Sequence, residues 1–103
     1  MPTFQEALYY LGIDEVDDMI KANVERALAS ATKRLHRAIG RDVGAYLPGD
    51  PEVKELVLIY TRESYDADSL TDKARAALKH LRADLEPQLR LSLLEAKEKA
   101  GVI

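Results

Sequence analysis

The chain has 103 residues, 47% of them hydrophobic and 32% charged, and its 15 basic and 18 acidic side chains leave a net charge of −3. That length supports one domain with one modest core, and the composition excludes a disordered tail or a fibrous repeat. The absence of cysteine excludes disulfides, thiolate metal sites and cysteine nucleophiles, and the net acidity leaves only a local basic patch as a route to nucleic acid.

The start, Met1-Pro2-Thr3-Phe4-Gln5-Glu6, lacks the basic and apolar regions of a signal peptide. No apolar run reaches the roughly 18 residues of a membrane span, so the expectation is a soluble protein working in the cytoplasm or in something assembled there. Thr3 and Glu6 form a capping-box pattern, and Phe4, Ala7, Leu8 and Leu11 then repeat at helical spacing up to Gly12. A helix this short is marginal alone and must dock on something.

A second helix is predicted from a cap at Asp14 to about Ile39, with an apolar stripe through Val16, Ile20, Val24, Ala27, Leu28, Ala31, Leu35 and Ala38. At about 24 residues it would be roughly 36 Å long, more than such a domain is thick, so one end is expected to project or meet another chain. Its charges are polarised along the dipole, with Asp14, Glu15, Asp17 and Asp18 at the start and Lys33, Arg34, Arg37 and Arg41 at the end.

Gly44, Pro48 and Gly49 break the chain between Arg41 and Asp50. Asp50-Pro51 then caps a third helix to about Tyr65, whose Val53, Leu56, Val57, Leu58, Ile59 and Tyr60 cover most of its circumference. Such a helix is buried on several sides and is expected at the centre of the core. Ser69 and Asp72 suggest the cap of a fourth helix with a face of Leu70, Ala74, Ala77, Leu78, Leu81 and Leu85, and Pro87 is expected to interrupt it or start a fifth. In the tail, Leu89 and Leu93 keep helical spacing while Leu91 and Leu94 fall on another side, a surplus that favours a partner surface. No strand pattern is present. The predicted fold is all-α, a single domain spanning 1–103, built as a small bundle of four to five helices with one long helix.

No constellation for catalysis, cofactor binding or metal binding emerges. The acids Asp14, Glu15, Asp17 and Asp18 lack the alternate ligands and glycine of a calcium loop, since Met19 holds the sixth position. They read as a solvated, dipole-matched helix start. His36 and His80 lie beside basic residues with no carboxylate at helical spacing to orient them, and read as surface histidines. No serine sits in a nucleophile elbow and no glycine pattern would cradle a phosphate. The expectation is therefore not an enzyme. The basic residues of the second helix, and Lys73, Arg75, Lys79 and Arg82 of the fourth, admit three readings: solvated faces, pairs with acids of a neighbouring subunit, or DNA contact. The last would make the chain a small DNA-binding regulator reading with helix 69–85.

Several segments together resemble the head–tail connector, or adaptor, proteins of tailed bacteriophages and prophages. They are Tyr10-Leu11-Gly12-Ile13-Asp14, Asp18-Met19-Ile20, the long helix ending Ile39-Gly40, the Asp50-Pro51 start, and Val57-Leu58-Ile59-Tyr60-Thr61-Arg62-Glu63-Ser64-Tyr65. A late leucine–arginine element completes the pattern, either Lys79-His80-Leu81-Arg82 or Gln88-Leu89-Arg90-Leu91; each is an incomplete form of the family's Gln-Leu-Arg-Gly. The resemblance runs from about Phe4 to Ala100.

It implies a structural virion protein. Such proteins form a closed ring of roughly twelve copies beneath the portal protein of the head. The ring carries head-closure or tail-completion proteins, and genome DNA passes through it without sequence-specific binding. The location implied is the head–tail junction of the virion, with the host bacterial cytoplasm during assembly, and no membrane. On this reading Asp17 and Asp18 of one subunit face Arg34, Arg37 or Arg41 of the next. Tyr46, Leu89, Leu91, Leu93 and Leu94 are then candidates to touch the portal or a neighbour.

Overall fold

A computed structural model describes all 103 residues. It contains five helices and no strand: α1 (Phe4–Leu11), α2 (Asp18–Ala38), α3 (Val43–Tyr46), α4 (Pro51–Tyr65) and α5 (Asp72–Lys99). The chain is elongated, with extents of 46 × 28 × 18 Å. No helix is long and apolar enough to cross a membrane.

Local chemistry sets most of the boundaries. The capping box is complete: Thr3 Oγ1 accepts from the Glu6 N–H at 3.1 Å, and Glu6 Oε1 accepts from the Thr3 N–H at 3.0 Å. Gly12, at φ 74°, closes α1 in the left-handed conformation. Asp50 caps α4 by accepting from Glu52 and Val53, with Pro51 in the first turn. Two expected starts move. Asp17, not Asp14, caps α2, so that helix has 21 residues, about 31 Å at 1.5 Å per residue. Thr71, not Ser69, caps α5 by accepting from the Ala74 N–H, while Ser69 donates its hydroxyl to the Asp66 carbonyl.

α4 packs against α2, α5 and α1, and Val53, Leu56, Val57, Ile59, Tyr60 and Thr61 along it are buried, as its apolar circumference predicts. The buried Thr61 hydroxyl donates to the Val57 carbonyl at 2.7 Å, so that hydroxyl is not left orphaned. The main core joins α4 to Ala31 and Leu35 of α2, Val43 of α3, and Leu78, Leu85, Leu89 and Leu93 of α5. A second cluster, Ala7 and Leu8 on Val24, docks α1. Two cross-links secure that dock. Lys54 Nζ donates to Glu6 Oε2 at 2.8 Å, and Arg62 donates to the Tyr10 carbonyl at 2.9 Å with its guanidinium 4.8 Å from the Tyr10 ring.

The largest departure from expectation is α5, which runs unbroken for 28 residues with Pro87 inside it. Pro87 and Ala83 are both exposed, so the carbonyl that loses its helical donor faces water rather than core. Leu85, Leu89 and Leu93 hold the opposite side in the core. The buried face of α5 is accordingly Leu78, Leu85, Leu89 and Leu93, while Ala77 and Leu81, expected to be on it, are exposed. The loop predicted from Arg41 to Asp50 contains the single turn α3, whose Val43 reaches the core. Gly40 makes the connection possible: at φ 150°, a Cβ there would lie 2.9 Å from Leu93 Cδ2.

Candidate interaction surfaces

α2 displays opposite charge at its two ends, and the fold sorts the residues expected to pair between subunits. Asp17 uses its carboxylate as the helix cap, accepting from the Ile20 N–H at 2.7 Å. Asp18 is exposed and makes no ion pair. Arg34 is engaged within its own chain, 3.5 Å from Glu63 Oε1 and with its guanidinium 4.2 Å from the centroid of the Tyr60 ring. Arg82 approaches the same carboxylate from α5, Nε lying 3.0 and 3.1 Å from the two Glu63 oxygens. Glu63 thus ties α2, α4 and α5 together in a partly buried network. Burial, followed by the nearby Glu86 carboxylate, raises the Tyr60 hydroxyl pKa far above the ordinary phenol range. Of the expected pairing set, Asp18, Arg37 and Arg41 are the members without a partner in the chain.

The tail divides in the same way. Leu89 and Leu93 are 1% and 4% exposed and belong to the main core, which corrects their assignment as contact residues. Leu91 and Leu94 are 55% and 47% exposed. Tyr46 is half-buried against the core and lies beneath Lys97, whose Nζ is 5.8 Å from the ring centroid. Lys97 also binds Asp42 at 2.7 Å, and this hydrogen bond lowers the pKa of the Asp42 carboxyl. Arg90 donates to the Ala38 carbonyl at 3.1 Å, so the carboxyl half of α5 is fastened to the carboxyl end of α2.

A second exposed apolar group lies at the other end of α2, where Met19 in the first turn is 73% exposed and Val16 41%. Leu91 and Leu94 therefore sit beside one end of α2 and Met19 and Val16 at the other.

The basic residues of α5 do not form one free reading face. Arg82 is bound to Glu63, and Arg75 donates to the Ala67 carbonyl at 2.6 Å. Glu63 to Arg82 and Tyr60 to Glu86 set α5 running back along α4, a helical hairpin rather than a projecting reader. His80, expected to lack a carboxylate at helical spacing, stands 3.9 Å from Asp84 one turn on, with both side chains in solvent. No group of three or more histidines and carboxylates converges as metal ligands.

Chain order groups Lys33, Arg34, Arg37 and Arg41; the structure replaces Arg34 with His36. Lys33, His36, Arg37 and Arg41 line an open surface concavity of about 600 Å³ with no acidic or apolar residue in its lining. Helical phase is the signal that finds it: positions 33, 36 and 37 share a face, and 34 turns toward Glu63. The Glu63 network had no comparable signal, because its partners are 29 and 19 residues away. Comparison with protein-family models, curated proteins and solved structures finds nothing that matches this chain.

Proposed function

We propose that the chain is a non-catalytic, ring-forming adaptor of a phage head–tail junction, seated between the portal and a head-closure or tail-completion protein, with genome DNA passing through the ring. One observation carries the reading beyond the resemblance of its segments to connector proteins. Two unlike apolar groups are exposed, Met19 with Val16 at the amino end of α2 and Leu91 with Leu94 on the part of α5 fastened to its carboxyl end. Unlike surfaces at opposite ends make a heterologous contact, and repeated heterologous contacts close into a ring when the rotation permits. Methionine is also enriched at interfaces, and the fully buried centre of a subunit contact is more apolar than the rest of the surface.

The test is native mass by light scattering over a concentration series, alone and with a portal complex, with the same samples imaged by negative stain. Rings of roughly a dozen copies are expected. Leu91→Ser with Leu94→Ser should abolish them while leaving the helical spectrum intact. A chain that stays monomeric with and without portal refutes the reading.

A further inference from the structure

The arginines of this chain are almost all engaged. Arg26 bonds Asn23, Arg34 and Arg82 share Glu63, Arg62 and Arg90 donate to the carbonyls of Tyr10 and Ala38, and Arg75 donates to that of Ala67. The two without any partner, Arg37 and Arg41, both open onto the concavity at the carboxyl end of α2, together with Lys33 and His36. Of the acids close to that end, Asp42 holds Lys97 and Glu63 holds Arg34 and Arg82, while Glu86 bonds the Tyr60 hydroxyl and stands in the neighbouring hollow on the other side of Arg37. Like charges are thus collected in one hollow whose own lining holds no acid; the helix dipole and Glu86 behind Arg37 offset part of their mutual repulsion, and an anion drawn in would offset the rest.

The lining says which anion. Protein contacts commonly centre on an apolar or aromatic anchor; arginine is favoured at them but lysine is depleted. This hollow has neither anchor. Nucleic-acid interfaces are polar and strongly positive, and most of their hydrogen bonds go to phosphate and sugar. With no phenyl, phenol or indole ring the lining offers unstacked bases only the small imidazole of His36, and without asparagine or glutamine there is no reader of adenine edges. Lys33 and Arg37 are one helical turn apart, about 6 Å along the axis, so the cations follow a line as phosphates along a strand do.

We propose that Lys33, Arg37 and Arg41, with His36 beside them, form a sequence-independent binding site for the phosphate backbone of duplex nucleic acid. The site lies on α2, apart from the α5 face considered for a sequence reader, and it functions whether or not the chain assembles.

Three permanent cations define the experiment. Neutralising about three phosphates gives a salt slope near −2.7, so affinity for a labelled random-sequence duplex should fall about 40-fold between about 50 and about 200 mM salt. Arg37→Gln with Arg41→Gln should bring the slope to about −0.9 and weaken binding at low salt, while Lys73→Gln with Lys79→Gln on α5 changes neither. Polyglutamate should compete poorly. The native mass of the Arg37→Gln/Arg41→Gln protein should equal that of the parent, which separates this site from the subunit contact. Duplex binding that survives the arginine substitutions overturns the proposal. Polyglutamate competing as well as DNA would make the hollow a dock for an acidic protein, and loss of assembly in the arginine variant would make it a subunit interface.

Discussion

Replacing Leu89 with alanine tests whether the carboxyl half of α5 is core or contact surface. Leu89 is 1% exposed within the main cluster, whereas Leu91, two residues on, is 55% exposed. The substitution removes about three buried carbons, about 2.4 kcal/mol at ~0.8 kcal/mol each, before any cavity is counted. A site enclosed in the main core with residues of α2, α3 and α4 has little freedom to collapse, so the total should reach about 3–4 kcal/mol. Leu91→Ala, on the solvent side of the single chain, should fall within about 0.5 kcal/mol of the parent when both are measured at concentrations where the chain is unassembled. For a domain with about 5–15 kcal/mol of stability, the first change is a large fraction of the whole and should lower Tm by more than about 10 °C. Urea denaturation followed by circular dichroism measures both variants, with the slope m showing whether the unfolded state has changed. Equal losses for Leu89→Ala and Leu91→Ala would mean that α5 does not present this face to the core, and the reasoning fails.

Two further predictions concern the backbone and the proton. Gly40→Ala must hold a Cβ at φ 150° and within 2.9 Å of Leu93 Cδ2, and should cost about 1–3 kcal/mol. Gly44→Ala, in open space with no positive φ, should instead stabilise by about 0.4–1 kcal/mol; thermal melts that fail to separate the two remove the argument for the Gly40 turn. The Glu6 carboxyl is held down to about 2 from its ordinary 4.5, chiefly by the hydrogen bond from Lys54 and then by the Thr3 N–H. A pKa lower in the folded than in the unfolded chain contributes stability above 4.5 that is lost as pH falls from 4.5 through about 2. A carbon-13 titration of Glu6 should therefore show its midpoint well below 4.5, moving back toward it in Lys54→Met; a midpoint already at 4.5 in the parent refutes the cross-link.

Much of the helical layout was legible because the forces that start and stop helices are local. Thr3 with Glu6, Gly12, and Asp50 with Pro51 each act within a few residues, and each marks the end that its chemistry predicts. The buried character of α4 was equally plain, since apolar residues around a helix leave no side for water. The start of α2 is not legible in residue order, because several acids compete there and all suit the dipole, while one alone, Asp17, has the geometry to reach the Ile20 N–H. Pro87 signals an interruption or a new helix because a lost donor is costly in a buried helix; the exposure of that side of α5 removes most of the reason.

The candidate surfaces divide along the same line. That α2 is acid at one end and basic at the other is a property of residue order alone. Which of those charges remain free is not, because Arg34 is taken up by Glu63, 29 residues further on, and Arg90 by the Ala38 carbonyl, 52 residues back. The same holds for the leucines of α5, whose spacing admits more than one face until α4 and the Gly40 turn select Leu89 and Leu93 and leave Leu91 and Leu94 outside. By itself the sequence determined the helical class, most of the caps and the central helix, since these rest on neighbours within about one turn. Only the tertiary structure decided which arginines and leucines face outward, since that depends on helix phase and on partners brought from far along the chain.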